Sequence, residues 1–96
     1  MNVKINAVKF KADEKLLKFV EEKVSKLDRH LPNAIEAEVT LKVETPETVM
    51  NKVADIRLVI RGNDLFASKK DNTFENAVLS AIDALKPQIE KLKDSR

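Results

Sequence analysis

The sequence contains no cysteine, no tryptophan and no tyrosine, and it has a single glycine and a single histidine. Without cysteine the chain holds neither a disulfide scaffold nor a thiolate metal site, and one glycine cannot build a glycine-rich phosphate loop. No apolar run approaches the about 20 residues of a membrane-spanning helix, and the N-terminus lacks the pattern of a secretory signal. We therefore expect a soluble, cytoplasmic protein with no membrane partner, and no motif indicates an enzyme.

The single histidine, His30, is the remaining candidate for acid–base chemistry. It lies near the end of a predicted helix, where a partial positive charge interacts favourably with the helix dipole. We interpret it as a helix-end residue. Carboxylate pairs such as Glu21 and Glu22 show no calcium-loop spacing. Neither a metal site, a cofactor nor a small-molecule substrate is expected.

The composition is that of one domain spanning residues 1–96, with 43% hydrophobic residues, enough for one core. The net charge is only +2, but it is unevenly distributed. Residues 1–31 carry 8 basic and 5 acidic residues, whereas residues 32–55 carry 2 basic and 5 acidic ones. Such a charge distribution can steer an anionic partner to one end of the molecule.

Residues 13–30 have the pattern of an amphipathic helix, with Asp13 as candidate N-cap and Pro32 just beyond its end. At about 100° per residue, its apolar residues form one stripe and its charges are sorted by sign. The apolar stripe consists of Leu16, Val20, Val24, Leu27 and Leu31. The opposite, cationic strip consists of Lys15, Lys18, Lys26 and Arg29, with Glu22 as the only acidic residue within it. A strip that is mostly cationic predicts an anionic partner.

Alternation of apolar and polar residues predicts three strands, the first near residues 2–9, with a polar loop at residues 45–48 between the second and third. The residues expected to face the core are Val3, Ile5 and Ala7 in the first strand, Ala37, Val39, Leu41 and Val43 in the second, and Ala54, Ile56, Leu58 and Ile60 in the third.

Gly62 and Asn63 predict a two-residue hairpin turn that leads into a fourth strand. This turn would make Ile60 and Leu65 cross-strand neighbours. It would also leave Phe66 on the outward face of the sheet, because successive side chains point to opposite faces.

A second helix is predicted from a Thr73 cap to about Lys93, with Pro87 inside its pattern. Proline removes a backbone hydrogen bond and clashes with the preceding turn, at about 3 kcal/mol. We therefore expect either a kink near residues 83–86 or a break with Pro87 at the start of a short final helix.

The element order is therefore β-α-β-β-β-α, an α+β fold with both helices on one face of a four-stranded sheet. The long helical connection between the first two strands suits a crossover, so we expect these strands to be parallel.

Recognition of RNA bases by aromatic stacking is disfavoured, because the chain lacks tryptophan, tyrosine and paired strand aromatics. Phosphate recognition by lysine and arginine remains. The candidates are Lys23, Lys26 and Arg29 on the first helix and Lys91 and Lys93 at the end of the second. A merely solvated helix face explains these residues equally well, since few phosphate contacts are available.

Five segments of the chain resemble one known family. They are residues 26–29, 41–44, 54–56, 65–68 and the last helix from residue 74 to 93. In this order they resemble the short ribosome hibernation promoting factor and ribosome-associated inhibitor A family, also called sigma-54 modulation proteins. The resemblance covers essentially the whole chain.

The resemblance implies a domain similar to a double-stranded RNA-binding fold that binds rRNA of the small ribosomal subunit in the mRNA and tRNA channel. Such proteins inhibit translation in stationary phase or stress and catalyse no reaction. The basic positions that match the family are Lys23, Lys26, Arg29, Lys91 and Lys93, and we add Lys15, Lys18 and Lys86 as candidate RNA-binding residues. Ala84 and Pro87 stand where the family carries basic residues, so we expect the first helix to contribute more affinity.

The long form of the family carries a C-terminal dimerisation domain, which residues 1–96 lack. We therefore expect a monomer off the ribosome and a second factor for any pairing of ribosomes.

Two other functions remain open. Lys69 and Lys70, just before the last helix, fit a general double-stranded RNA-binding module. Glu36, Glu38 and Glu44 on the second strand fit a protein-interaction domain with an acidic docking surface.

Overall fold

The computed structural model describes residues 1–44 and 49–94, so the loop predicted at residues 45–48 lies outside the described residues. The elements are β1 (Asn2–Ala7), α1 (Glu14–Ser25) with a following 3-10 turn (Lys26–Arg29), β2 (Glu36–Val43), β3 (Lys52–Val59), β4 (Leu65–Asp71) and α2 (Phe74–Asp94). This order confirms the predicted β-α-β-β-β-α fold.

The four strands form one sheet in the order β1-β2-β3-β4. β1 and β2 are parallel, as predicted from the helical crossover between them, and the other two pairs are antiparallel. β1 ends at Ala7, two residues earlier than expected. The reason is Lys9, whose φ of 61° lies in the left-handed region and cannot continue a strand.

Both helices pack on one face of the sheet and share a single hydrophobic core. We call α1 and the following 3-10 turn the first helical segment. The core includes Val20, Val24 and Leu27 from this segment and Leu31 just after it, Ala37, Val39, Leu41, Ala54, Ile56 and Leu58 from the central strands, and Ala77, Val78, Ala81, Ile82, Leu85 and Ile89 from α2. Most residues predicted to face the core are confirmed. Val43, at the last position of β2, is an exception: it is exposed and lies outside the core.

The first helix begins as predicted, because the Asp13 carboxylate accepts a hydrogen bond from the backbone N–H of Leu16 at 2.8 Å. It does not remain α-helical to residue 30. After Ser25 it tightens into the 3-10 turn, where the Leu27 carbonyl accepts from both His30 and Leu31 N–H groups, at 3.0 and 2.9 Å. A 3-10 turn is a common way to end an α-helix.

The predicted register of the β3–β4 hairpin is wrong by two residues. Leu65 pairs with Leu58, and Ile60 belongs to a wider connection. The backbone N–H of Ile60 donates to the Asp64 side chain at 3.3 Å, whereas the tight hairpin needed Ile60 to pair with Leu65. The Ile60 carbonyl accepts from Asn63 N–H at 3.1 Å, closing a turn that contains Gly62.

The prediction for the two faces of β4 is nevertheless confirmed, since a shift of two residues preserves the face. Leu65 is buried, and Phe66 is 49% exposed on the open face of the sheet. Gly62 has a φ of 89°, a conformation that glycine adopts without the cost of a Cβ atom.

The second helix is continuous from Phe74 to Asp94, so the expected break at Pro87 is wrong, while the kink stays a prediction. Thr73 caps the helix through its Oγ1, which accepts from Asn76 N–H at 3.1 Å. Proline has no N–H, so Pro87 cannot donate a hydrogen bond to the backbone carbonyl four residues earlier. Because Pro87 is exposed, water can reach that carbonyl instead. Leu85 and Ile89 on either side of Pro87 are buried, and their packing holds both turns against the sheet.

Candidate nucleic-acid interface

A groove of about 360 Å³ lies between the end of the first helical segment and the middle of α2. We call it the interhelical groove. Its basic residues are Lys23, Lys26 and Arg29 from the first segment and Lys86 from α2. Its remaining lining residues are Leu27, His30, Leu79, Ile82 and Asp83. Among the described residues that line it, four are cationic at neutral pH and only one is acidic.

The local geometry of the first segment aligns its cations. Lys23, Lys26 and Arg29 are spaced three residues apart, which keeps them on one side of a helix. The change to a 3-10 turn reinforces this alignment, because side chains at i and i+3 eclipse one another in that geometry. Two contacts hold the turn in place: Leu27 is buried, and the amino group of Met1 donates to the Asp28 carboxylate at 3.1 Å.

Lys23 lies partly over an aromatic ring, with its Nζ 5.7 Å from the centre of the Phe19 ring. A cation–π contact of this kind contributes about 0.5–1 kcal/mol at an exposed site. Lys23 is half-buried and also lines the groove, since a lysine stem can pack against the protein while its charge stays at the surface. Lys26 and Arg29 are exposed.

Lys86 brings the second helix into the site. Its Nζ lies 3.5 Å from the Asp83 carboxylate one turn earlier, and both side chains are exposed. Exposed pairs of this type contribute about 0.3–0.5 kcal/mol, so this contact costs little to rearrange when a stronger anion arrives.

The structure separates the eight predicted residues into two groups. Lys23, Lys26, Arg29 and Lys86 meet at the interhelical groove, and the other four lie elsewhere. Lys15 lies near the start of α1 beside Glu75, and Lys18 lies beside Glu21 and Glu22. Lys91 lies near the β3–β4 connection, and Lys93 is exposed in the last turn of α2.

Three exposed groove residues were not predicted from the sequence: His30, Leu79 and Asp83. His30 was interpreted as a helix-end residue, but its side chain also lines the groove. The apolar stripe of α2 consists of Phe74, Ala77, Val78, Ala81, Ile82, Leu85, Ile89 and Leu92. Leu79 lies off this stripe and is 38% exposed in the same groove. The available signal was that a large apolar residue stood outside the stripe that the sheet buries.

The glutamates of the open sheet face do not form an acidic surface. Glu36 pairs with Lys4 at 3.2 Å, and Glu44 pairs with Lys70 at 3.0 Å. Glu38 lies between Lys4 and Arg57 on the neighbouring strands. This face is therefore of mixed sign, and it offers little attraction to a partner of either charge.

No metal cluster emerges among the described residues, since no three or more histidine or acidic side chains there are grouped to hold an ion. Within residues 1–44 and 49–94, no helix combines the length and the apolarity that crossing a membrane requires.

The chain was compared with known protein families and with known protein sequences. The profile of a family described as sigma 54 modulation protein / S30EA ribosomal protein matches residues 3–96. A search of curated protein sequences finds no significant match.

Two solved structures share the fold. The N-terminal domain of Protein Y from Thermus thermophilus is 22% identical, with a TM-score of 0.80 over 96% of this chain and 99% of that one. A ribosomal subunit interface protein from Coxiella burnetii is 14% identical, with a TM-score of 0.85 over 98% of this chain and 99% of that one. At these identities the likeness establishes the fold alone.

Proposed function

Because the chain belongs to the sigma 54 modulation protein / S30EA ribosomal protein family, we propose that it inhibits translation by binding the small ribosomal subunit. The binding site on the subunit is the channel used by mRNA and tRNA, and the interhelical groove supplies the contact. Family membership confirms the resemblance seen in the sequence and indicates a ribosome-associated factor. The observation that supports the finer proposal is the convergence of cations from both helices on one groove.

The partner at the groove is rRNA, because its backbone carries closely spaced negatively charged phosphates, which attract the four groove cations. Lysine and arginine bind phosphate through charge and released counterions, and the planar arginine fork can contact two phosphate oxygens together. Arg29 and Lys26 are exposed and available for such contacts. The open sheet face, with its paired charges, would then point away from the RNA.

A protein that acts by occupying a channel needs no cofactor and no small-molecule substrate. Its compartment is that of the ribosome, the cytoplasm, and off the ribosome it is a monomer. Pairing of ribosomes would then require a second factor. The Coxiella burnetii neighbour is named as a ribosomal subunit interface protein, and a channel between the subunits accords with that name.

The proposal is tested by sedimentation of the purified protein with small subunits, large subunits and small subunits preloaded with mRNA and tRNA. We expect binding to the empty small subunit alone. Each phosphate contact contributes about −0.7 to −0.9 to the slope of log affinity against log salt, so four groove cations predict a slope near −3. Equal binding to preloaded subunits would exclude the channel, and salt-insensitive binding would favour a protein–protein contact.

The same experiment addresses the general double-stranded RNA-binding alternative. A random RNA duplex added in excess should leave subunit binding intact if the ribosomal site is specific. If the duplex removes the protein from the subunit in proportion to its phosphate concentration, the domain is a general RNA binder.

A further inference from the structure

We propose that the interhelical groove receives one unstacked nucleotide, with its base against an apolar wall and its phosphate on the surrounding cations. This inference rests on the proposed function for the presence of RNA near the groove. It goes beyond that function because it names the ligand as a single unpaired nucleotide rather than the backbone of a duplex.

The first observation is the apolar wall of the groove. Leu79 is 38% exposed, and the buried side chains of Leu27 and Ile82 lie beside it in the same concavity. Isolated exposed leucines are ordinary on a flat surface. Here the leucine faces a concave site that four cationic side chains also line, and phosphate contacts alone gain nothing from an apolar surface. A nucleobase face is the part of RNA that such a wall can bind.

The second observation is that planar side chains border this wall. His30 and Arg29 both line the groove, and imidazole and guanidinium planes are groups on which unpaired bases stack. None of the four phenylalanines lines the groove. Phe10 and Phe74 stack on each other with ring centroids 4.8 Å apart, Phe66 lies on the open sheet face, and the Phe19 ring is covered by Lys23, whose Nζ lies 5.7 Å from its centre. His30 and Arg29 therefore give the groove planar groups for stacking, which the absence of tryptophan and tyrosine from the sequence did not suggest.

The third observation is the carboxylate of Asp83, which lines this cationic groove and, among the described residues, is held there only by its exposed contact with Lys86 at 3.5 Å. A carboxylate repels phosphate, but it accepts hydrogen bonds from the amino groups of bases. Guanine carries two adjacent N–H donors on its Watson–Crick edge, which match the two oxygens of a carboxylate. In a duplex that edge is already paired, so only an unpaired guanine can present it. The groove volume of about 360 Å³ falls in the range of small-ligand sites, roughly 300–1,000 Å³.

The geometry therefore points to a guanine nucleotide, which can be a free nucleotide or one unit of a single-stranded RNA. We would titrate the isotope-labelled full chain with GMP, with AMP, with a uridine hexanucleotide containing one guanosine, and with a G·C-rich RNA duplex long enough to stay paired, in which no guanosine is free. Amide resonances of the groove should shift with the single strand, and the duplex should bind more weakly at the same salt concentration.

The decisive variant is Leu79→Ser, matched by Ile35→Ser, which removes an equally large exposed apolar side chain outside the groove. We expect Leu79→Ser to raise the dissociation constant for the hexanucleotide about tenfold, because a base that covers Leu79 removes its apolar side chain from water. Ile35→Ser should change it less than twofold. Asp83→Asn should reduce the preference for guanine over adenine. Folding of each variant is checked by its amide spectrum.

Binding of GMP at the groove would identify a free nucleotide as sufficient, and binding of the hexanucleotide alone would identify an RNA strand; either supports the inference. Unchanged affinity in Leu79→Ser, or duplex binding as tight as single-strand binding, would overturn it. If Leu79→Ser also sediments normally with small subunits, the proposed function stands without the nucleotide site. If the wild type binds the hexanucleotide but no subunit, the proposed function fails and the nucleotide site remains.

Discussion

The clearest prediction concerns which helix carries the affinity for the small subunit. Changing Lys23, Lys26 and Arg29 together to alanine removes three of the four groove cations, whereas changing Lys86, Lys91 and Lys93 removes one. Each phosphate contact contributes about −0.7 to −0.9 to the salt slope. The first set should therefore reduce the slope by about 2–3 and the second by about 1.

The same slopes set the expected loss of affinity. The electrostatic contribution to binding vanishes near 1 M salt. Because each contact contributes about −0.8 to the slope, lowering the salt tenfold to 0.1 M raises the affinity by about 0.8 log unit per contact. We thus expect a loss of about 250-fold for the first-helix set and about sixfold for the α2 set at 0.1 M salt. Sedimentation with purified small subunits over a salt series measures both the affinity and the slope.

A matched control separates position from total charge. Lys4, Lys42 and Lys70 on the open sheet face carry the same total charge, but each is paired with a carboxylate there. Their replacement by alanine should change subunit affinity less than threefold, and exposed substitutions of this kind usually alter stability by less than about 0.5 kcal/mol each. Equal losses from the two helix sets, or a loss from the control as large as from the first set, would refute the assignment.

Three further predictions concern stability and are measured by urea unfolding. Asp13→Ala should lower the free energy of unfolding by about 1 kcal/mol, because it leaves the Leu16 N–H without its cap; no change would show that the cap contributes nothing. Gly62→Ala should lower it by about 1 kcal/mol, since the φ of 89° is unfavourable for alanine, although the added Cβ would have no atom within 4 Å beyond its own residue and its two chain neighbours. Pro87→Ala should raise it by about 2 kcal/mol by restoring a helical hydrogen bond, and a decrease would mean that the proline geometry is needed.

Local patterns predicted the elements well because caps and periodicity act over a few residues. Asp13 and Thr73 cap their helices as expected, through hydrogen bonds to groups three residues away. The β-strand faces also follow directly from alternation, which is why Phe66 was placed correctly even though the hairpin register was wrong. In the observed connection the Asp64 side chain accepts the N–H of Ile60. Such a competing side-chain contact is not visible in a turn motif.

The continuity of α2 shows that the local cost of Pro87 was not enough to predict where the helix ends. A cost of about 3 kcal/mol for an internal proline predicted a break or kink, but the buried residues Leu85 and Ile89 on either side keep the helix on the sheet. Tertiary packing of an apolar face contributes more to a helix than its local propensity does, so the break did not occur.

The sequence by itself determined that the first helix carries cations at a spacing of three residues, because helical periodicity alone sets which residues share a side. It did not determine which of those cations would form one site. Lys15 and Lys18 share the cationic strip with Lys26, yet they lie outside the groove. Only the packing of the two helices against each other brought Lys86, Leu79 and His30 to the same concavity. That packing depends on contacts between residues far apart in the chain, which no pattern within either helix specifies.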